Sequence, residues 1–175
     1  MIGDKDTENQ VLLLEHDVPN YPFPQSVIDC LPSLPWIISD EEKKKRLDLT
    51  HLQICSVDPP GCTDIDDALH CIELENGNYQ CGVHIADVSH FIRPSTAIDD
   101  EARRRSTTVY LVDKRIDMVP ALLSSNLCSL RDDGPRLVVL SYEFVYFILL
   151  YSSLFSNLLD SLLHVSGKYS RMMVK

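Results

Sequence analysis

The sequence predicts a mixed α+β fold, within the broad α/β class, from three observations. Apolar and polar residues alternate on both sides of Asn76-Gly77, a dipeptide typical of a β-hairpin turn. Helix-capping residues and helical spacing occur before and after that hairpin, so helices and strands interleave along the chain. The 175 residues, 45% hydrophobic and 24% charged, have the composition of one globular domain and exclude wholesale disorder.

Short helices separated by prolines are expected in the first third of the chain. Residues 1–10 are mostly polar, and we expect them to be loose. A short helix fits between prolines at residues 25–31. Ser39 and Glu42 form a Ser-x-x-Glu capping box, which predicts a helix that continues to about Leu47.

The remaining elements follow from alternation and from helical spacing of apolar residues. They are a strand at 53–57, hairpin strands at 68–74 and 79–86, a helix at 96–105, a β-rich stretch at 107–112 and a helical stretch at 120–130. The hairpin strands carry His70, His84, Cys71 and Cys81, for which we expect cross-strand packing in preference to a metal site. The six cysteines form no Cys-x-x-Cys pair, which favours free thiols in a reducing, intracellular compartment.

The net charge of −10, from 26 acidic and 16 basic residues, argues against a broad electrostatic nucleic-acid surface. Residues 51–100 contribute about −8 of it, so a bound cation is an alternative there to simple solvation. The basic run at residues 43–46 is typical of a solvated helix face. Arg103, Arg104 and Arg105 with nearby Tyr110 could clamp a phosphate, or could simply follow the dipole at a helix C-terminus.

The residue composition changes near residue 138 and becomes mostly apolar, which predicts a division into residues 1–138 and an apolar tail at 139–175. Residues 137–155 form an apolar run close to the length of about 20 residues that spans a bilayer. Glu143 lies early in that run, and a charge inside a bilayer is costly. We therefore favour a buried or aggregation-prone segment, with no membrane partner, over a membrane-tethered protein.

One segment stands out as a site for chemistry. Residues 58–68 read Asp-Pro-Pro-Gly-Cys-Thr-Asp-Ile-Asp-Asp-Ala, and the bend at Pro59-Pro60-Gly61 lets the aspartates on either side converge. Carboxylates brought together repel one another, and a hard divalent cation relieves that repulsion. The candidate ligands, for Mg²⁺ or possibly Mn²⁺, are Asp58, Asp64, Asp66 and Asp67. An acidic surface loop is the alternative reading of the same residues.

Residues 58–68 resemble the first catalytic motif of the ribonuclease II (RNB) family. Residues 84–92, which read His-Ile-Ala-Asp-Val-Ser-His-Phe-Ile, resemble the motif that follows the hairpin in that family. Further matching motifs lie at 107–111, 118–120 and 123–130, and the lead-in at 15–19 with Pro35-Trp36 resembles the eukaryotic branch. That branch is the catalytic exonuclease subunit of the RNA exosome. The resemblance covers about residues 10–138.

The resemblance implies a processive 3′→5′ exoribonuclease that hydrolyses single-stranded RNA with Mg²⁺ and releases nucleoside 5′-monophosphates in RNA processing and decay. It implies metal ligation by Asp58, Asp64 and Asp67, and it places Asp66 at the position most directly tied to cleavage. It assigns Tyr110 to stacking near the RNA 3′ end. Exosome core subunits are the implied partners, and the nucleus and cytoplasm the implied location.

The resemblance also implies that this chain is a partial RNB catalytic domain. The later half of the family's domain, with further channel aromatics and a catalytic arginine, has no counterpart in residues 139–175. We therefore expect weak or no turnover from the isolated chain, because an incomplete channel lacks the combined stacking and basic surfaces that grip RNA. The alternative is a catalytically inactive fragment that binds RNA or a protein.

Overall fold

A computed structural model describes residues 3–145 and 171–174, and it confirms the mixed α+β fold. These residues form two compact units. Among the described residues, unit 1 combines 3–34 with 89–124, and unit 2 combines 35–88 with 125–145 and 171–174. Each unit is therefore built from segments that are distant in sequence.

Unit 1 is mainly helical. Its elements are α1 (Lys5–Glu15), α2 (Gln25–Ile28), most of α4 (Val88–Phe91), α5 (Ala97–Arg105) and a two-stranded hairpin of β4 (Val109–Tyr110) and β5 (Arg115–Ile116). The expectation that residues 1–10 are loose is wrong. The Asp4 side chain accepts a hydrogen bond from the Thr7 amide at 3.2 Å and so caps α1, which continues into the apolar residues that follow.

The helix expected at residues 96–105 is present as α5, whereas the helix expected at 25–31 is shortened to α2, which ends at Ile28. Thr96 caps α5 by accepting a hydrogen bond from the Asp99 amide at 3.4 Å. Basic residues occupy its last turn, where they complement the helix dipole. The apolar stretch at 120–130 is only partly helical, because a π-helix occupies Leu123–Leu127 and ends the regular spacing.

Unit 2 is a five-stranded sheet with a short helix. Its elements are α3 (Asp40–Lys44), β1 (Leu47–Asp48), β2 (Asp67–Glu73), β3 (Tyr79–Ala86), β6 (Pro135–Val145) and β7 (Arg171–Val174). The order of the strands in the sheet is β1-β7-β6-β3-β2, with β6 and β7 parallel and the other neighbours antiparallel. The capping box is confirmed, since the Ser39 hydroxyl accepts from the Glu42 amide at 3.2 Å. The strand expected at residues 53–57 is reduced to a single bridge between Cys55 and Leu69.

The β2–β3 hairpin is confirmed, although its turn differs from the type I′ turn that Asn76-Gly77 favours. Leu74 pairs with Asn78, and Gly77 alone in the loop has a positive φ, of 78°. A type I′ turn needs positive φ at both central residues, whereas a three-residue loop needs it only at its last position. The turn is therefore a three-residue loop that places glycine where left-handed backbone is required.

The core of unit 2 includes a buried pair of imidazoles on one face of the hairpin. His70 and His84 are both buried, and His70 Nδ1 lies 2.6 Å from His84 Nε2. Gly82 is the direct partner of His70 across the two strands, which leaves room for the ring. Burial, and then the charge of His70, lower the pKa of His84 from 6.5 to about 4.

Cys71 and Cys81 lie on the opposite face of the hairpin, directly across from one another with their Sγ atoms 3.4 Å apart. Burial raises the pKa of the Cys71 thiol to about 12, which keeps it protonated. The histidines and cysteines thus pack across the strands as expected. Within the described residues, no group of three or more His, Cys, Asp or Glu side chains is placed to hold a metal ion.

We expect unit 2 to lose stability as the pH falls from about 6.5 to about 4. An unfolded histidine binds its proton near pH 6.5, whereas folded His84 does not do so until about pH 4, so acid favours the unfolded chain. The loss should reach up to about 3 kcal/mol at the acid end, since one pKa unit corresponds to about 1.4 kcal/mol.

Urea unfolding at a series of pH values measures this effect. His84→Gln should flatten the slope between pH 6.5 and 5, where few carboxylates titrate. An unaltered slope in His84→Gln would mean that other groups cause the acid sensitivity.

The apolar run at residues 137–155 begins inside β6, where Leu137 and Val138 are buried. Residues 146–155 lie outside the described residues, as does most of the tail at 139–175. Within the described residues, no helix is both long and apolar enough to cross a membrane. The division at residue 138 stays a prediction, and β6 runs across it.

Candidate metal and RNA site

The aspartate loop, residues 58–67, links the Cys55 bridge to β2 in unit 2. The bend expected at Pro59-Pro60-Gly61 is present: the Cys62 amide donates to the Pro59 carbonyl at 3.1 Å, and Gly61 has a φ of 86°. A residue with a side chain would be strained at that φ, which explains the glycine. The bend turns the chain back, so that Asp58 and Asp64 both lie close to Cys62.

Asp58 and Asp64 form one part of the loop. Burial raises the pKa of the Cys62 thiol, and the negative charges of Asp58 and Asp64 raise it further. The Cys62 Sγ lies 3.7 Å from Asp64 Oδ1. Asp58 is exposed and Asp64 half-buried, so this pair presents one accessible and one partly enclosed carboxylate.

Asp66 and Asp67 occupy the other end of the loop, and both are exposed. Burial raises the pKa of the Cys128 thiol to about 12, and the negative charges of Asp66 and then of Asp87 raise it as well. Asp67 is the first residue of β2 and pairs with Ile85. The Ile65 carbonyl accepts from the Leu130 amide at 2.8 Å and the Asp66 carbonyl from the Ala86 amide at 3.0 Å, which holds the backbone between two neighbours.

The donor set of the loop suits Mg²⁺, since four carboxylates within ten residues supply the hard oxygen ligands that this ion prefers. The described structure places them at the two ends of one short loop, and no three of them form a cluster placed for a metal. Repulsion between the negatively charged carboxylates favours this separation, and a bound cation would reduce that repulsion. The four carboxylates are therefore the type of ligand that Mg²⁺ binds.

Sequence reasoning missed a buried ion pair beside the loop. Arg46 Nη2 donates to Asp87 Oδ2 at 2.8 Å, and Arg46 Nε donates to Glu42 Oε1 at 2.7 Å. The side chains of Arg46 and Asp87 are almost wholly buried. The basic run at residues 43–46 is therefore a solvated face only as far as Lys45. The one available signal was Asp87 itself, an acidic residue between the apolar residues Ala86 and Val88.

Tyr110, the residue assigned to RNA stacking, lies on β4 in unit 1. It is 65% exposed, so a face of its ring is accessible to a base. It pairs across the hairpin with Arg115.

The arginines at the end of α5 do not form a shared phosphate clamp. Arg105 is buried, donates to Glu101 Oε1 at 2.7 Å and to the Tyr21 carbonyl at 2.8 Å, and lies over the Phe23 ring at 3.9 Å. Its guanidinium fastens α5 to the segment before α2. Arg103 pairs with Asp99 on the exposed side of the helix, and Arg104, itself exposed, pairs with the buried Glu101.

The comparison with protein families agrees with the motifs of the loop and the hairpin. The RNB domain matches residues 46–145, which include the aspartate loop, the β2–β3 hairpin and Tyr110. The match covers more than half of the chain. The chain belongs to the RNB domain family.

Similar proteins carry exonuclease names. The chain is 69% identical over 136 residues to the human exosome complex exonuclease RRP44 and 50% identical over 136 residues to the DIS3-like exonuclease 2 of Schizosaccharomyces pombe. These alignments cover 78% of this chain, but only 14% and 15% of the two relatives. The chain thus corresponds to a small part of proteins of that kind.

Solved structures share the fold. The RNase R of Mycoplasma genitalium, in complex with double-stranded RNA, aligns with a TM-score of 0.67 and 26% identity over 81% of this chain and 27% of its own. Yeast Ssd1, described as a pseudonuclease, aligns with a TM-score of 0.63 and 22% identity over 99% of this chain and 20% of its own. Because a pseudonuclease shares the fold, catalysis has to be argued from the residues of the site.

Proposed function

We propose that this chain is part of a 3′→5′ exoribonuclease that hydrolyses single-stranded RNA to nucleoside 5′-monophosphates with Mg²⁺, in exosome RNA processing and decay. The observation that carries the proposal is the RNB match across the aspartate loop, together with 69% identity to an exosome exonuclease. A loop of four carboxylates, three of them exposed, supports it. Mn²⁺ could replace Mg²⁺, because it accepts the same oxygen ligands.

In this proposal Asp58, Asp64, Asp66 and Asp67 hold the metal. A bound Mg²⁺ would stabilise negative charge on the attacking and leaving oxygens of the phosphodiester. Asp66 is the residue proposed for the cleavage step, and it is exposed at the end of the loop. The hydrogen bonds accepted by the Ile65 and Asp66 carbonyls hold the backbone that carries this side chain beside β3.

Recognition of RNA and of partners belongs to the same proposal. The exposed Tyr110 ring offers a stacking surface for a base near the RNA 3′ end, an interaction that every base can make. Exosome core subunits are the proposed protein partners, since the similar proteins are named as exosome exonucleases. The nucleus and the cytoplasm are the proposed locations.

The test combines metal binding with RNA cleavage. Manganese titration followed by electron paramagnetic resonance should show binding that Asp64→Asn weakens about tenfold or more, while Asp100→Asn on α5 leaves it unchanged. The chain with 5′-labelled single-stranded RNA should give at most weak shortening from the 3′ end. That shortening should require Mg²⁺, stop with EDTA and disappear in Asp66→Asn.

The outcomes separate the two readings of the chain. Shortening that persists in EDTA or in Asp66→Asn would contradict the proposed chemistry. A folded chain that binds manganese through the loop but leaves RNA intact would support the alternative, an inactive piece that carries the metal motif. Rates close to those of a complete exoribonuclease would overturn the expectation of weak turnover.

A further inference from the structure

Ser129 makes two hydrogen bonds to the aspartate loop, although it lies more than sixty residues away in sequence. Its side chain is fully buried. The Ser129 hydroxyl oxygen accepts from the Ile65 amide at 3.1 Å, and the hydroxyl donates to the Thr63 carbonyl at 2.9 Å. These two bonds fix the peptide groups on either side of Asp64.

The segment that carries Ser129 is itself anchored. Arg136 Nε donates to the Ser129 carbonyl at 2.8 Å, and the Leu130 amide donates to the Ile65 carbonyl at 2.8 Å. Arg136 and Leu130 are both buried, so water competes little for these bonds. Ser129 thus links the loop, through Arg136, to β6.

We propose that Ser129 is a positioning residue for the metal site, an inference that rests on the proposed function. It holds Asp64 at a fixed place relative to Asp66 against the repulsion between neighbouring carboxylates. A loop already held in place binds a cation more tightly, because less conformational entropy is lost on binding. Ser129 touches neither metal nor substrate and acts through the backbone of Thr63 and Ile65.

The test compares Ser129→Ala with Ile38→Val, a variant that removes one methylene from the buried contact of Ile38 with Leu137 in the same unit. Both variants are made in the full chain. Amide hydrogen exchange is measured by NMR at Ile65 in the loop and at Leu69 and Asp87 outside it, all three hydrogen-bonded in the structure. Manganese affinity is measured by electron paramagnetic resonance.

We expect Ser129→Ala to speed exchange at Ile65 about fivefold or more, the effect of losing one hydrogen bond, while Leu69 and Asp87 keep their protection. Manganese affinity should fall by a similar factor. Ile38→Val should lower thermal stability without changing either the Ile65 exchange or the manganese affinity.

Two results would overturn the inference. One is unchanged Ile65 exchange or unchanged manganese affinity in Ser129→Ala. The other is a loss of protection at Leu69 and Asp87 as large as that at Ile65, since Ser129 would then support the whole unit and not the loop. If the unaltered chain binds no manganese but Ile65 exchange still rises selectively, the proposed metal site fails while the backbone role of Ser129 stands.

Discussion

Replacing Gly82 with alanine is expected to destabilise unit 2 more than other changes in the hairpin. A Cβ atom at position 82 would overlap Cε1 of His70 and would lie 2.5 Å from its Nδ1. Real Cβ atoms do not approach other heavy atoms so closely. The His70 ring would therefore have to leave its place, and it is buried and hydrogen-bonded to His84.

The expected loss in Gly82→Ala is about 3 kcal/mol or more in the free energy of unfolding. Overpacking a core typically costs about 1–3 kcal/mol, and leaving a buried polar group without its partner costs about 1–3 kcal/mol as well. Chemical unfolding monitored by circular dichroism measures the loss. The same variant should also expose the amides of β2 and β3 to hydrogen exchange.

Gly134→Ala is the matched control, because the nearest atom to its built Cβ, on Arg136, lies 3.5 Å away. It should change the free energy of unfolding by less than about 1 kcal/mol. The double variant Gly82→Ala with His70→Ala should be more stable than Gly82→Ala alone, since the clash is removed. If Gly82→Ala is as stable as Gly134→Ala, the ring is not confined as the structure indicates.

Local sequence signals identified the elements whose cause is local. The Ser39 capping box and the alternation on either side of Asn76-Gly77 each fixed an element, because the bonds involved join residues a few positions apart. Where the local sequence suited more than one structure, the observed element differed in detail from the predicted one. Asn76-Gly77 suits two kinds of turn, and only the pairing of Leu74 with Asn78 selects the three-residue loop.

Contacts between distant segments could not be derived from one sequence. Arg46 follows three lysines and has the same local pattern as a solvated residue, but Asp87, 41 positions later, makes it a buried ion-pair partner. Ser129 looks like an ordinary serine until the fold brings Thr63 and Ile65 beside it. The aspartates were identified by composition and motif, whereas the groups that hold their backbone were not.

The bonds that attach the aspartate loop to the rest of unit 2 involve the backbone of the loop. Its bonds to β3 and to residues 129–130 use backbone groups, with the Ser129 hydroxyl as the one side chain among those described here. Asp58, Asp66 and Asp67 therefore remain exposed while the peptide chain beneath Asp64 and Asp66 is fixed. A fixed backbone that carries exposed acidic side chains is suited to a cation that enters from solvent.

The second large effect is expected from Asp87→Asn. Removing the charge of Asp87 leaves the guanidinium of Arg46 buried, with Glu42 as its remaining ion-pair partner among the described contacts. Breaking a buried ion pair by removing one partner costs about 3–5 kcal/mol, because the other charge stays away from water. We expect a loss of about 3 kcal/mol in the free energy of unfolding, measured by urea denaturation.

A double-mutant cycle with Arg46→Met measures the coupling energy between the Arg46 and Asp87 side chains. The double variant should lose less than the sum of the single variants, since no buried charge is left without a partner. Asp40→Asn, which breaks the exposed pair of Asp40 with Lys43, is the matched control and should cost at most about 1 kcal/mol. If the losses in the free energy of unfolding from Asp87→Asn and Arg46→Met are strictly additive, the two side chains do not interact in solution. The burial of this pair would then not explain the stability of unit 2.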